Sequence, residues 1–383
     1  MRLQGAGAGI AESRRKPAGL HADDRLPDRA AVVRALRAWY ARAGRDLPWR
    51  RARDPYRIWI SEVMLQQTQV ERVRDYFTRF IARLPTVTAL AEAGEPEVLR
   101  LWEGLGYYRR ARQLHAAARL ILTDHAGRFP RTAAGLRTLP GIGRYTAGAI
   151  ASIAFDEPEP IVEANSRRVI ARLIGHAAPL GGTAGDEPIW RAAAALVPRT
   201  RPGRFNQALM DLGALVCTPD RPLCGGCPLA GLCTARREGT VAKIPAPAPR
   251  RAVENLRETA LVVRRGGRLL VVRRGADEWW SGLWDFPRVS GAAGRASRGI
   301  AASPLLAPLG CGPTARLGAI THTVTHHRIA VDVVSCSAAR SGRPAANRRW
   351  LTPAQLARLA MPAPGRRIAR LAAEHARAVP KSG

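Results

Sequence analysis

The sequence predicts a multidomain chain: a mainly α domain that ends in a cysteine-ligated cluster module, then a smaller α+β domain. Three observations carry this. From about residue 29 to 235, apolar residues recur three or four apart between prolines. Cys217, Cys224, Cys227 and Cys233 close that region with the spacing C-x6-C-x2-C-x5-C. Beyond the Pro/Ala-rich stretch 241–254, the pattern changes to short β-rich runs around Gly266-Gly267.

The 383 residues suffice for two domains with real cores. A formal net charge of +31 points to a polyanion, with nucleic acid the first candidate. The basicity is almost all arginine, because the only lysines are Lys16, Lys243 and Lys381. Arginine and alanine are abundant throughout, so compositional bias accounts for part of this charge. Residues 1–28 read as a flexible basic tail without the continuous apolar core of a signal peptide. No stretch reaches the ~20 apolar residues of a membrane span, so no membrane association is expected and the cytoplasm is the expected location.

Within 29–240, VVRALRAWYARAG, VERVRDYFTRFIARL, ARQLHAAARLILTDHAG and AAGLRTLP read as helices, punctuated by Pro85, Pro130, Pro140 and Pro160. The segment 241–256 is the linker. In 257–383, ETALVVRRGGRLLVVRRG reads as a hairpin, RIAVDVVSC as a strand, and the C-terminus as helices.

Thiolates at such close spacing on Pro- and Gly-rich turns are ligands for iron–sulfur or zinc. Zinc ribbons space two C-x2-C knuckles far apart. Four cysteines within seventeen residues, with one C-x2-C, suit a compact cubane better. Disulfides are disfavoured, because no secretory signal precedes the domain. Cys311 and Cys336 lie far away and read as buried small hydrophobes.

Upstream, LPGIGRYTA (139–147) reads as a tight hairpin opening a helix. Gly141 and Gly143 permit unusual backbone angles, and the amides that follow, from Arg144 onward, sit where a phosphate binds without sequence readout. A plain inter-helix turn is the alternative from these residues alone. Glu62 lies in WISEVMLQQ and is either desolvated, with a raised pKa, or on a solvated helix face.

Together the hairpin and the cysteines resemble the helix-hairpin-helix DNA glycosylases of the endonuclease III superfamily, which carry a [4Fe–4S] cluster. LPWR (47–50), DPYRIWISEVMLQQTQV (54–70), GLGYYRRAR (104–112) and FNQALMDLGA (205–214) narrow the resemblance to the adenine DNA glycosylases, the MutY branch. These motifs span about 190 residues, in that family's order. The resemblance implies a monomeric monofunctional enzyme of base excision repair at the bacterial nucleoid. Its partner would be duplex DNA carrying adenine opposite 8-oxoguanine or guanine.

The resemblance also implies roles. Glu62 would be the general acid that protonates adenine. Glu163 stands where the family has its catalytic aspartate, in IVEANSRRV, and Ala164 replaces a glycine. A carboxylate one methylene longer must still find its place, since ~1 Å errors can cost ~100-fold. Tyr145 holds the position of the Schiff-base lysine of bifunctional relatives, and no lysine occurs between residues 17 and 242. A buried structural tyrosine is the alternative. Asn165 would orient a carboxylate or water. Gln67 and Tyr107 would wedge into the stack beside Thr68 and Leu105. Arg50, Trp49 and Gln207 would shape the adenine pocket. Arg221, Arg236 and Arg237 would meet phosphates near the cluster.

The C-terminal run with GLWDFP (282–287) resembles a Nudix fold. Its hydrolase box is absent, with no acidic residue between Pro287 and His322, so binding is expected rather than hydrolysis. HTVTHH (322–327) resembles the loop that probes 8-oxoguanine, with Thr325 and His326 as contacts and Val324 in place of an aromatic. Dense histidines also suit a metal, but no carboxylate or cysteine cluster nearby in sequence completes a site. The alternatives are an endonuclease III-like pyrimidine glycosylase with lyase activity, a catalytically impaired mismatch binder, and a nucleotide-pool hydrolase.

Overall fold

The computed structural model describes residues 26–247, 252–295, 306–341 and 346–378, together with positions 298 and 303. Most of the expected basic tail and residues 248–251 of the expected linker lie outside them.

Helices dominate up to the linker. They are α1 (Arg29–Ala43), α2 (Pro55–Leu65), α3 (Val70–Arg83), α4 (Val87–Glu92), α5 (Glu95–Leu101) and α6 (Tyr108–Asp124). After these come α7 (Ala133–Leu136), α8 (Arg144–Phe155), α9 (Ala164–Leu173), α10 (Gly182–Leu196), α11 (Pro202–Leu215) and the single turn α12 (Thr234–Arg237). Capping follows the sequence. Asp28 accepts from the first amides of α1, and Asp54 caps α2 ahead of Pro55 at its first position.

The chain falls into two compact units whose division does not follow chain order. One comprises Met1–Gly44 and Pro160–Ala248; the other comprises Arg45–Glu159 and Pro249–Gly383. The helical region expected at 29–240 therefore contributes to both. In the first unit α9 and α11 pack closely. A Cβ on Gly213 would lie 2.6 Å from the Cβ of Asn165, so only glycine permits this approach. In the second unit α2 packs against α8. Both are apolar on nearly every side, as fully buried helices are.

The second unit also holds a seven-stranded sheet among the described residues. Its strands are β1 (Glu254–Arg265), β2 (Arg268–Arg273), β3 (Trp284–Asp285), β4 (Arg288–Ser290), β5 (Cys311–Val324), β6 (His327–Ala338) and β7 (Arg348–Leu351). β1 begins inside the segment expected as linker. Gly266 and Gly267 take φ of 53° and 71°, the left-handed pair that a two-residue hairpin between β1 and β2 demands. β1 pairs with β6 in parallel, and β5 with β6 antiparallel.

Alternate residues of β1 face opposite sides. Ala260 and Val262 join a core with Phe286, Val331 and two closing helices, α13 (Pro353–Ala357) and α14 (Ala363–Ala378), through Leu356 and Ile368. Leu261 and Val263 join the other, with Leu306, Leu309 and Cys336. Cys336 is buried there and Cys311 packs against it, so both serve as small apolar residues. No described helix is long and apolar enough to cross a membrane.

Candidate functional site

Glu62 is 4% exposed, on the face of α2 turned toward α8. Burial settles the choice that the sequence left open: this glutamate is desolvated. The hydroxyl of Tyr145, in the first turn of α8, donates to Glu62 Oε2. One residue later Thr146 Oγ1 accepts from Gln66 Nε2 at 3.4 Å, so α2 and α8 are stitched at two successive levels.

The hairpin before α8 is built for close approach. Gly141 has φ 78°, and a Cβ there would meet Gln113 Cβ at 2.7 Å. Gly143, the N-cap of α8, is in ordinary extended conformation (φ −85°, ψ 179°) and not at the unusual angle expected of it, and a Cβ there would meet nothing within 4 Å. The helix start is thus open at Gly143 and Arg144, both exposed.

Glu163 and Asn165 belong to the other unit, at the start of α9. Glu163 is the N-cap, and both its carboxylate oxygens are engaged. Oε2 accepts from the Asn165 amide and Oε1 from the Ser166 amide, each at 2.8 Å. Ser166 Oγ accepts from the Glu163 amide at 2.9 Å and completes a capping box. The longer side chain therefore has a structural duty that the sequence reading did not foresee. Asn165 Oδ1 accepts from Arg168 at 2.9 Å.

Arg168 and Arg172, both buried, continue that line along α9 to the cysteines. Arg168 Nε donates to Cys217 O at 2.7 Å, and Arg172 donates to Thr218 O at 2.7 Å and Pro219 O at 2.9 Å. Arg172 also lies 3.4 Å from Cys217 Sγ. Their i, i+4 spacing puts both on one helix face, the signal in the sequence by which these two functional residues could be found.

No disulfide joins the four cysteines, and all of them line one cavity with Arg172 and Arg236. Burial pushes the Cys227 thiol up to about 11 and raises that of Cys233, with the neighbouring cysteines adding to both. Four cysteine sulfurs around one cavity are a soft donor set that fits a metal cluster. Arg221, Arg236 and Arg237 are exposed beside them.

The residues expected at the opposite base share a backbone signature. Among the described residues seven non-glycine residues have positive φ, and Gln67 (58°), Tyr107 (48°) and Thr325 (53°) are three of them. All three are exposed. Such strain persists where surroundings enforce it, and it gathers at functional sites. Arg110 is the enforcer for two of them. Its guanidinium donates to Val63 O at 2.7 Å, to Gln66 O, and to Leu105 O and Gly106 O at 3.3 Å, and it lies over the Tyr107 ring. Burial pushes Arg110 down to about 10.

A cavity of about 500 Å³ opens between this turn and the C-terminal sheet, lined by Tyr107, Arg109, Trp280, His322 and Thr325 among others. Its walls are tied by Glu103, whose carboxylate receives Arg366 Nε at 2.6 Å and Nη2 at 3.0 Å. Trp279 and Trp280 were not singled out from sequence. Trp280 also has positive φ (59°) and packs on His322 at 5.3 Å, while Trp279 packs on His327 at 5.2 Å. They supply aromatic surface that Val324 lacks. The segment expected as a loop at 322–327 is a two-residue turn, Thr325-His326, between β5 and β6.

Of the remaining expected residues, Trp49 is buried edge-on to Phe77 and Leu105 is buried. Arg50 donates to Arg45 O at 3.5 Å and Thr68 to Gln66 O at 3.4 Å. In the other unit, Gln207 accepts from Tyr40 OH at 3.1 Å.

Residues 60–180 match the family model of the HhH-GPD superfamily base excision DNA repair proteins, and residues 259–371 match that of the NUDIX domain. The chain is 36% identical to an adenine DNA glycosylase of Rattus norvegicus over 412 residues, covering 92% of this chain and 80% of that protein. To an adenine DNA glycosylase of Mycolicibacterium smegmatis it is 44% identical over 240 residues, covering 62% and 79%. Among solved structures, a thermostable thymine-DNA glycosylase superposes with a TM-score of 0.50 at 29% identity, covering 56% of this chain and 98% of the other.

Proposed function

The chain belongs to the adenine DNA glycosylase family, and from that premise we propose that it excises adenine opposite 8-oxoguanine or guanine by hydrolysis, leaving the strand uncut. The observation that carries this is the buried Glu62 held by the Tyr145 hydroxyl behind the open N-terminus of α8. A desolvated carboxylic acid is suited to protonate a leaving base. Protonated adenine departs with the bonding electrons, and the sugar becomes oxocarbenium-like. Water then completes hydrolysis. No lysine lies between residues 17 and 242 to form an imine with the sugar, which supports a reaction without strand cleavage.

Glu163 and Asn165 are assigned to stabilising the developing positive charge, and Gly141, Gly143 and Arg144 to a backbone phosphate. Gln67, Thr68, Leu105 and Tyr107 are assigned to the space beside the opposite base, and Arg50, Trp49 and Gln207 to the adenine pocket. Thr325 and His326 read the lesion from the C-terminal sheet. Cys217, Cys224, Cys227 and Cys233 would hold a [4Fe–4S] cluster, which would cross-link the turns of the module through its iron–sulfur bonds. Arg168 and Arg172 connect that module to the helix carrying Glu163.

The test uses three duplexes, with adenine opposite 8-oxoguanine, adenine opposite guanine, and thymine glycol, each with and without alkali. Strand breaks on the first two after alkali alone are expected. Breaks without alkali, or activity only on thymine glycol, contradict the proposal. Iron assay of the same preparation should give about four irons per chain; a single zinc contradicts the cluster assignment.

A further inference from the structure

The turn between β5 and β6 gathers two histidines and a carboxylate, of which the proposed base excision uses only His326, and that for reading the lesion. The rings of His326 and His327 lie 4.0 Å apart. Both Nε2 atoms face the Glu254 carboxylate, at 3.7 Å from Oε1 for His326 and 3.1 Å from Oε2 for His327. One ligand atom from each of the three lies within 4.8 Å of the others. The carboxylate that the sequence did not offer comes from the start of β1, brought in by its parallel pairing with β6.

This placement is set by the backbone. Glu254 is in register with His327, and the Glu254 amide donates to His326 O at 2.9 Å. The other ring nitrogens turn the opposite way. Nδ1 of each histidine lies 3.4 Å from Thr325 Oγ1, whose own proton goes to Val324 O at 2.7 Å. A hydroxyl used in this way has lone pairs left to accept from Nδ1–H. That tautomer leaves both Nε2 lone pairs directed at the Glu254 side. Ligating histidines commonly donate their second N–H to such an acceptor. A tetrahedron with bonds of about 2.1 Å has edges of about 3.4 Å. The separations of 3.1 and 3.7 Å, each to a different oxygen of Glu254, are of that size, and one donor atom from each of the three residues lies within 4.8 Å of the others.

We propose that Glu254, His326 and His327 form a binding site for a divalent transition-metal ion. Two imidazoles and one carboxylate suit zinc and its neighbours, with a fourth position for water. The site is separate from the cysteine module and from the missing Nudix acidic box. An ion held there would fix the turn that carries Thr325. That consequence rests on the lesion-reading role proposed above, whereas metal binding does not.

The test needs no DNA, so its outcome is independent of base excision. Cluster-loaded full-length protein is exposed to excess zinc chloride, desalted, and assayed for zinc and iron. Wild type is expected to retain a single zinc with its iron unchanged. Glu254→Gln, His326→Gln and His327→Gln should each lose it, with affinities by calorimetry weaker by roughly 10- to 100-fold. Circular dichroism checks the fold. Should His327→Gln disturb β6, Glu254→Gln carries the test, because that side chain is 59% exposed at the strand end. Equal zinc retention by wild type and variants, no zinc on wild type, or zinc gained only as iron is lost overturns the proposal.

Discussion

Tyr145 donates its hydroxyl proton to Oε2 of Glu62, from the first turn of α8 to the middle of α2. The two residues lie 83 positions apart in the chain. The bond aims a buried acid and places it behind the hairpin that Gly141 and Gly143 open. Tyr145→Phe removes the bond and little else. Single-turnover excision should slow by about 10-fold, the worth of roughly one net hydrogen bond, with duplex affinity unchanged. An unaltered rate would show that the bond only braces the fold.

Glu163 has two possible duties, and two substitutions separate them. Glu163→Asp keeps a good N-cap, whereas Glu163→Gln gives up one of two accepting oxygens and the charge. The Gln variant should lose about 0.5–1 kcal/mol of stability and about 10²-fold in excision. Lost stability with wild-type excision would make Glu163 a cap alone. The Asp variant should unfold like wild type, and its excision rate reports how far the pocket has adapted to the longer side chain.

Arg110 binds the Gln66 and Gly106 carbonyls, next to the strained Gln67 and Tyr107. Lysine cannot reproduce a planar fork with five donors. Arg110→Lys should destabilise by about 1–3 kcal/mol, the cost of unpaired buried carbonyls. It should also narrow the rate ratio between adenine opposite 8-oxoguanine and adenine opposite guanine. Denaturant melts and paired rate measurements test both; a destabilised variant with an unchanged ratio would remove Arg110 from positioning.

His322, in the cavity wall, is held down to about 4 by burial, with the positive charge of Arg288 next and Glu258 opposing. Neither ring nitrogen has a hydrogen-bond partner among the described residues. Its ordinary value is 6.5. As pH falls from 6.5 toward 4, the unfolded chain takes up a proton that the folded chain refuses. The contribution of neutral His322 is therefore complete above 6.5 and is lost toward 4. Imidazole NMR should show His322 titrating near 4. Titration near 6.5 would mean that the ring is solvated and the cavity open.

The helices were legible because their apolar period is strong. The runs beginning at Val32, Val70 and Ala111 match α1, α3 and α6 but overrun their ends, to Gly44, Leu84 and Gly127. The Gly266-Gly267 hairpin was legible because only left-handed residues close it. β5 was not: its burial is irregular and Gly312, Pro313 and Gly318 interrupt it. Glu254 was invisible as a neighbour of His327 because parallel pairing joins residues far apart in sequence. The capping by Glu163 was missed because aspartate and asparagine, not glutamate, signal an N-cap. Arg110, Arg168 and Arg172 were hidden by abundance in an arginine-rich chain, where no single arginine stands out.

The central claim is that Glu62 supplies the proton for adenine departure, and it is tested most directly by Glu62→Gln. Glutamine keeps the shape and can still accept from Tyr145, but it has no acidic proton to give. Single-turnover excision from a duplex with adenine opposite 8-oxoguanine should fall by at least ~10²-fold, while duplex affinity by gel shift stays near wild type. Excision within a few-fold of wild type would contradict the assignment of Glu62 and the mechanism built on it.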